Sequence, residues 1–429
     1  MKSENLVVRL HDEVVGFLEP FKNGARFRFA ESLSSAHPDS PLLSTALPVS
    51  SDPFPSDVTR NWFAGLLPED ARAEEISRFF GVDADDYLSL LEEVGWECAG
   101  AVAVEPPDRN RAAVADDCFE EIGEVDLAKR LGALPGHPYD SAKTLRVSLG
   151  GFQEKICVSA QDAPSLESGF VRLEHVGIPL NGAISTHILK PQPDRFPGMI
   201  EGEAWAMRAA AYATATSEVA LLENEDAPQT LVVKRFDRAM LDGRVVRLHQ
   251  EDCAQALGLA PSGKYAAVSS PKKSDPSFSV IAKLLRMYSV DPMGDIEQLL
   301  RQMAVNVALG NTDAHAKNYA LLHPDRQTIT LAPMYDVVPA LEITPETPYM
   351  GIRVNGLIRI DRLGRNDLVE ESVRWGVPRR RACAVLDEVA NQLKTGMKRA
   401  SELYPRAGAR HCGPALRRID RILCGVNSV

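Results

Sequence analysis

Gly310-Asn-Thr-Asp-Ala-His-Ala-Lys-Asn318 is the stretch of this chain richest in reactive side chains. Asp313 and Asn318 stand five residues apart, and a second acid, Asp336, follows in Pro333-Met-Tyr-Asp336. Phosphoryl transfer asks little covalent help of a protein. It needs one carboxylate near the acceptor hydroxyl, and oxygen ligands that hold Mg²⁺ against the phosphates. An Asp, an Asn five residues on, and an Asp after a hairpin is the order that protein kinases use. Because Asp-x-x-x-x-Asn also arises by chance, the flanking elements must carry the reading. A rival reading makes Asp313-Ala-His315 a transition-metal site, but no second His or Cys stands nearby at ligand spacing.

The elements that would position these groups are legible around them. A helix over 295–309, with Ile296, Leu299, Leu300, Met303 and Val307 repeating at three and four, leads into the stretch. A hairpin, 319–322 with 328–332 around Pro324-Asp-Arg326, carries the chain on toward Asp336. Upstream, Leu145-Arg-Val-Ser-Leu-Gly-Gly-Phe-Gln-Glu-Lys-Ile-Cys-Val158 reads as strand, glycine turn, strand. Gly150-Gly151 there would let backbone N–H groups approach phosphates with no Cβ in the way, the competing reading being an ordinary hairpin turn. Lys190 ends the strand-like Ser185-Thr-His-Ile-Leu-Lys190, where it would pair phosphates. Its candidate partner is Glu203 at the start of the next helix, with Glu201 near enough to leave the choice open.

Two nucleotide motifs are excluded. Gly258-Leu-Ala-Pro-Ser-Gly-Lys264 matches G-x-x-x-x-G-K, but Tyr265 replaces the Ser or Thr that would ligate Mg²⁺. A helix over 251–257 is expected before it instead of a strand, so the segment reads as a helix–helix connection. No G-x-G-x-x-G follows a strand, so a dinucleotide site is not supported.

The wider chain reads as strands followed by helices. Strands are expected at 5–9, 14–19, 25–30 and 99–104, and helices at 70–80 and 86–94. Ser34 to Ser56, with its five prolines, reads as loop. Strands at 144–148, 155–159, 186–190, 217–223 and 229–235 follow, interrupted by a helix bearing Trp205, Ala206, Ala209, Ala210 and Ala213. Beyond 250 the texture is helical, with further helices over 379–396 and 414–425. This pattern predicts an α+β, two-lobed body, a β-rich N-lobe and a helical C-lobe, behind a small amino-terminal α/β subdomain. The expected divisions are 1–106, 107–240 and 241–429.

Composition narrows the class. At 429 residues, 45% hydrophobic and 25% charged, the chain is globular and long enough for several domains. Its net charge of -11 argues against independent, non-specific nucleic-acid binding, which draws its energy from released counterions. The seven cysteines are scattered, with no Cys-x-x-Cys pair, so neither a zinc cluster nor a disulfide framework is expected. Charges at Lys2, Glu4, Arg9, Asp12 and Glu13 leave no signal-peptide core, and no uncharged apolar run reaches about 18 residues. A cytoplasmic location without membrane contact is the expectation.

Ser148-Leu-Gly-Gly-Phe-Gln-Glu-Lys155, Thr186-His-Ile-Leu-Lys190, Lys234-Arg-Phe-Asp-Arg238, Leu248-His-Gln-Glu-Asp252, Gly310 to Asn318 and Met334-Tyr-Asp336 occur in that order. Together they resemble the HipA family of toxin serine/threonine kinases over nearly the whole chain. Phe63-Ala-Gly-Leu-Leu-Pro-Glu69 resembles part of the domain that precedes the kinase core in its full-length members. The resemblance implies ATP and Mg²⁺ as cofactors, Asp313 as catalytic base, Asn318 and Asp336 as metal ligands, and Lys190 on the phosphates. Gly150, Gly151, Phe152, Gln153, Glu154 and Lys155 would cover the triphosphate, with His315 and Lys317 near its far end. The backbone around Lys234 and Phe236 would meet adenine, and Tyr335 would border the nucleotide. Ser148 matches the serine that such kinases autophosphorylate, an event that would place a dianion beside the ATP phosphates. Phe152 stands where a small residue is expected.

The resemblance also implies a partner, a HipB-like helix-turn-helix antitoxin, with operator DNA met only through that complex. The expected substrate is an aminoacyl-tRNA synthetase, glutamyl-tRNA synthetase foremost, whose phosphorylation would stall translation and favour dormancy. The alternatives are a small-molecule phosphotransferase and a catalytically idle kinase fold that binds nucleotide and antitoxin.

Overall fold

The computed structural model describes residues 5–22, 24–36, 38–108, 118–134, 154–160, 163–180 and 182–425. Ser148, Gly150, Gly151, Phe152 and Gln153, and the strand expected over 144–148, lie outside the described residues.

The amino-terminal part is an antiparallel sheet in the order Gly24–Phe29, Glu13–Phe21, Leu6–Leu10, Val102–Glu105. Strict alternation in Gly24–Phe29 sends Ala25, Phe27 and Phe29 into its core. Against that face packs the helix Ser56–Ala64, which buries Thr59, Trp62 and Phe63. This helix was not expected, because the prolines before it mask its short three-and-four repeat. A short helix, Glu31–Ala36, also overlaps the start of the expected loop. Helices Asp70–Phe80 and Tyr87–Val94 stand where the periodicity puts them.

The middle of the chain builds a five-stranded sheet in the order Ile156–Val158, His187–Pro191, Thr230–Lys234, Val219–Leu222, Phe170–Val171. Neighbours are antiparallel except the last pair. Its central strands are buried on both faces. Leu221, Leu231 and Val233 point into the core shared with the helical lobe, while Leu189, Ala220 and Val232 join Leu127 and Leu131 of the helix Glu124–Ala133. Pairing of Leu231 with Lys190 sets the register that brings the lysine to the inner face. The helix Met199–Ala210, with Trp205, Ala206 and Ala209 fully buried, closes that face.

The helical lobe is built on Phe278–Tyr288, Pro292–Leu309, Arg379–Leu403 and Pro405–Arg418. Pro292–Leu309 is started by Pro292 and by the Asp291 side chain, which accepts from Gly294 N at 3.1 Å. It stops at Gly310, whose φ of +74° only glycine adopts freely. A Cβ there would also meet the Arg418 guanidinium at 2.7 Å.

Three expectations need correction. The segment 251–257 is not one helix: His249–Asp252 is a strand paired with Ala320–His323, and only Cys253–Ala256 is helical. Alternating burial of His249 and Glu251 explains the strand, and the Asp252–Gln255 capping box explains where the helix starts. The hairpin Ala320–His323 with Thr330–Leu331 is not the single one that the pattern predicts among the helices beyond 250: Tyr349–Val354 pairs with Leu357–Arg359 as well, and Arg238–Leu241 pairs with Arg244–Arg247 just ahead of them. Their turns hold Asp242-Gly243 and Asn355-Gly356, all four residues at positive φ, the signature of a tight hairpin turn. The last long helix begins at Pro405 instead of 414 and runs through Pro414. The whole is a β-rich lobe on a helical lobe behind an amino-terminal subdomain, the α+β arrangement expected.

Candidate active site

Lys190 is the hub. Its side chain, 9% exposed, donates to Glu203 Oε1 at 2.7 Å and to Asp336 Oδ1 at 2.5 Å. Glu201 takes no part and accepts instead from Ala407 N at 3.3 Å. Burial pushes the Glu203 carboxyl up to about 7 against the attraction of Lys190. Burial also opposes charge on Asp336, but the Lys190 ammonium and its hydrogen bond win and hold that carboxyl far below the usual range. Asp336 sits at φ +59°, a left-handed backbone that Asp tolerates better than most residues, and its side chain remains 42% exposed.

Asn318 closes the next edge. It ends a single 3₁₀ turn, Ala316–Asn318, and donates through Nδ2 to Asp336 Oδ2 at 3.3 Å. Asn318 Oδ1 is buried and has no protein partner. An amide oxygen held beside an ionised carboxylate is a donor set suited to Mg²⁺, which keeps several waters and needs few protein ligands. Among the described residues there is no group of three or more His, Cys, Asp or Glu that could hold a metal ion.

Asp313 lies at the mouth of the same stretch. Its Oδ1 accepts the Tyr265 hydroxyl at 2.6 Å. Although the residue is open to a cleft, the cleft walls strip water from its carboxyl and raise its pKa, against the lowering by Tyr265. His315 stands edge-on to the Tyr265 ring, centroids 4.8 Å apart. Burial and then the Lys264 charge push His315 down to about 3, so it is neutral near pH 7. A cleft of about 1100 Å³ opens beside Asp313, walled by Arg60, Glu69 and Tyr87 on one side and by Lys264, Tyr265 and Tyr349 on the other.

The remaining expected residues fall as follows. Glu154 and Lys155 precede the strand Ile156–Val158. Burial, then the neighbouring Lys190 charge, push the Lys155 ammonium down to about 8, and burial raises Glu154. The Phe236 ring stacks on Tyr335 with centroids 5.3 Å apart, and Tyr335 donates to Lys317 O at 2.7 Å. Lys234 is exposed and pairs with Glu218 at 2.7 Å. Lys317 is engaged by protein groups. Its ammonium donates to Asp252 Oδ2 and to Gly65 O, each at 2.8 Å, facing the amino-terminal domain.

Residues not singled out in the sequence also build the site. Tyr265 and Lys264 come from the segment read as a helix–helix connection. Asn311 Nδ2 bonds Asn306 Oδ1 at 2.9 Å and reaches Asp336 O at 3.3 Å, tying the helix end to the second acid. The motif Lys234-Arg-Phe-Asp-Arg238 holds the amino-terminal domain in place. Arg235 bonds Asp237 Oδ2 at 2.7 Å and Glu97 Oε1 at 3.2 Å, Arg238 bonds the same Glu97 oxygen at 2.9 Å, and Gly100 N donates to Asp237 at 2.7 Å. All four charged side chains are buried. In Leu248-His-Gln-Glu-Asp252, Glu251 likewise accepts from Trp62 Nε1 at 3.3 Å and Thr45 N at 3.0 Å. The contacts of Glu97, Gly100, Trp62 and Thr45 with this part of the chain join residues more than a hundred positions apart, beyond any local pattern.

Residues 6–105 match the model of the HipA N-terminal domain, and residues 147–397 match that of the HipA-like C-terminal domain. The Sinorhizobium fredii protein Y4mE is 33% identical over 373 residues, covering 84% of each chain. The serine/threonine-protein kinase toxin HipA of Shewanella oneidensis is 25% identical over 291 residues, 65% of this chain and 62% of that one. Among solved structures, a chain of the Shewanella oneidensis complex of HipA, HipB and operator DNA superposes with a TM-score of 0.81. That match covers 98% of both chains at 20% identity, and the likeness is one of fold. Among the described residues no helix is long and apolar enough to cross a membrane.

Proposed function

The chain belongs to the HipA family, and from that premise we propose that it is an ATP- and Mg²⁺-dependent protein serine/threonine kinase, the toxin of a toxin–antitoxin pair. The observation that carries this reading is the Lys190 ammonium bound to both Glu203 and Asp336, with Asn318 on the other oxygen of Asp336 and Asp313 opening onto the cleft. Such a set has the parts that positioning and charge neutralisation require of a phosphotransferase.

In this reading Asp313 accepts the proton of a substrate serine or threonine hydroxyl that enters by the cleft. Desolvation raises its pKa and so its affinity for that proton, while the Tyr265 hydroxyl occupies Oδ1. Lys190, freed from Asp336 and still oriented by Glu203, contacts the phosphates. Asn318 Oδ1 and Asp336 would hold Mg²⁺, which would supply neutralisation of charge on the phosphate oxygens. Glu154 and Lys155, with Gly150, Gly151, Phe152 and Gln153 outside the described residues, form the phosphate cover. The backbone at Lys234 and Phe236 meets adenine, with Phe236 and Tyr335 stacked behind it. His315, neutral, borders the phosphates, whereas Lys317 is engaged with the amino-terminal domain.

The proposed substrate is an aminoacyl-tRNA synthetase, glutamyl-tRNA synthetase foremost, and the proposed self-modification is at Ser148. A HipB-like helix-turn-helix antitoxin is the proposed partner, with operator DNA reached through it, in line with the complex in which the Shewanella oneidensis HipA fold was solved. The acidic balance of -11 agrees with DNA contact by way of a partner.

The test is incubation of the purified chain with γ-labelled ATP, Mg²⁺ and purified glutamyl-tRNA synthetase, with a cell lysate in parallel. Label on the synthetase, and on Ser148 by mass spectrometry, supports the full reading. Label on other proteins alone keeps the kinase and rejects the synthetase. Label confined to small molecules moves the chain to the phosphotransferases.

A further inference from the structure

The motif Phe63-Ala-Gly-Leu-Leu-Pro-Glu69 supplies none of the groups assigned so far, yet its last residue reaches the catalytic stretch from another domain. The Glu69 side chain is 12% exposed. Its Oε2 takes the Lys264 ammonium, and its Oε1 lies 3.7 Å from the Lys317 ammonium. Lys264 precedes Tyr265, the donor to Asp313, and Lys317 precedes Asn318. One carboxylate thus bonds the lysine beside Tyr265 and lies in ion-pair range of the lysine beside the proposed amide ligand.

The segment that carries the proposed base is tied both locally and at longer range. Its local backbone bonds are Thr312 N to Gly310 O at 3.0 Å, His315 N to Asp313 O at 2.7 Å, and Asn318 N to His315 O at 2.9 Å. Asn311 and Asn318 tie it to Asp336, Tyr335 donates to Lys317 O, and its ties toward the amino-terminal domain run through the two lysines. Ala316 N donates to Lys264 O at 3.1 Å, and the Lys317 ammonium donates to Gly65 O and Asp252 Oδ2. Charge is balanced within the group, Glu69 and Asp252 against Lys264 and Lys317. Without Glu69, two ammonium groups about a tenth exposed would share one acid, and Lys264 would turn toward solvent with Tyr265 following.

The geometry points to Glu69 as a positioning residue: the amino-terminal domain, through Glu69, Lys264 and Lys317, sets the placement of Asp313 and Asn318 for phosphoryl transfer. This rests on the proposed kinase activity for its catalytic consequence, but the placement itself is independent of it. Loss of alignment by about an ångström at a reacting group costs roughly 10²-fold in rate. The domain that precedes the kinase lobes is then part of the catalytic assembly.

The experiment uses the full chain as wild type, Glu69→Gln, Tyr265→Phe and the double variant, with two readouts. The first is steady-state phosphotransfer. Glu69→Gln is expected to lower kcat roughly 10- to 100-fold while the KM for ATP stays within about two-fold, and adding Tyr265→Phe is expected to cost little more. Glu69→Asp, which keeps the charge, should recover part of the loss. The second is amide hydrogen exchange by mass spectrometry, where 311–318 should exchange faster in Glu69→Gln and the sheet over 6–29 should not change. Should Glu69→Gln not fold, Glu69→Gln with Lys264→Met removes both ends of the bridge, keeps the charge balance, and is read identically. Unaltered exchange over 311–318, or a kcat within about two-fold of wild type, overturns the positioning role. A wild type that transfers no phosphate sinks the proposed kinase, and exchange alone then decides the placement.

Discussion

The Lys190 ammonium lies 2.7 Å from Glu203 Oε1, and both side chains are buried. The bond crosses from the strand His187–Pro191 to the helix Met199–Ala210, so the second turn of that helix sets where the lysine points. Asp336 holds the same ammonium from the helical lobe, which makes Lys190 the bridge between lobes. Replacing Glu203 by Gln removes the orienting charge but keeps the shape. The expected outcome is a raised KM for ATP with a kcat/KM roughly 10²-fold lower, measured by steady-state kinetics. An unchanged kcat/KM would reject Lys190 as the phosphate contact positioned by Glu203.

Lys155 supplies a pH prediction. With its ammonium pushed down to about 8 by burial and by Lys190, a substantial fraction is neutral at pH 8.5 in the free protein. A bound triphosphate favours the charged form. Binding must then take up protons at that pH, and affinity must fall as pH rises above 8. Calorimetry at pH 8.5 in buffers of different ionisation enthalpy reads the uptake directly, and Lys155→Met should abolish it. Equal apparent enthalpies in all buffers would mean that Lys155 does not face the phosphates.

Asp336→Ala should eliminate Mg²⁺-dependent nucleotide binding, because it removes the carboxylate beside Asn318 Oδ1. Calorimetric titration of nucleotide with and without Mg²⁺ checks this. Retention of a Mg²⁺-dependent rise in affinity would remove Asp336 from the metal site.

The docking of the amino-terminal domain predicts a stability effect. Glu97 is fully buried between Arg235 and Arg238. Glu97→Ala leaves the buried Arg235 and Arg238 sharing Asp237 as their acid and should cost about 3–5 kcal/mol, read as a lower midpoint in urea unfolding. A loss under about 1 kcal/mol would show that the network relaxes around the gap.

Much of this site is legible in the chain because its groups lie on short, strongly marked pieces. Pro292 and Gly310 delimit the helix that delivers Asp313, and a five-residue spacing with a hairpin places Asn318 and Asp336. Glu203 and Glu201 are separable only by helix phase: one faces Lys190 and the other the start of Pro405–Arg418. Tyr265 was hidden for a different reason. The Gly258 to Lys264 segment matches a phosphate-loop spacing without its hydroxyl, and that mismatch carries no information about the Tyr265 hydroxyl one residue on. The Glu69, Glu97 and Glu251 contacts depend on how two domains meet, which no local pattern encodes. The two extra hairpins did carry a signal, Asp242-Gly243 and Asn355-Gly356, but their strands are too short to alternate clearly.

The most direct test is Asp313→Ala, followed for phosphate transfer and nucleotide binding side by side. Transfer should fall roughly 10²- to 10⁴-fold, the scale of a lost general base, while ATP affinity and the melting midpoint stay near wild type. Transfer at the wild-type rate by a folded Asp313→Ala protein would contradict the assignment on which the mechanism stands.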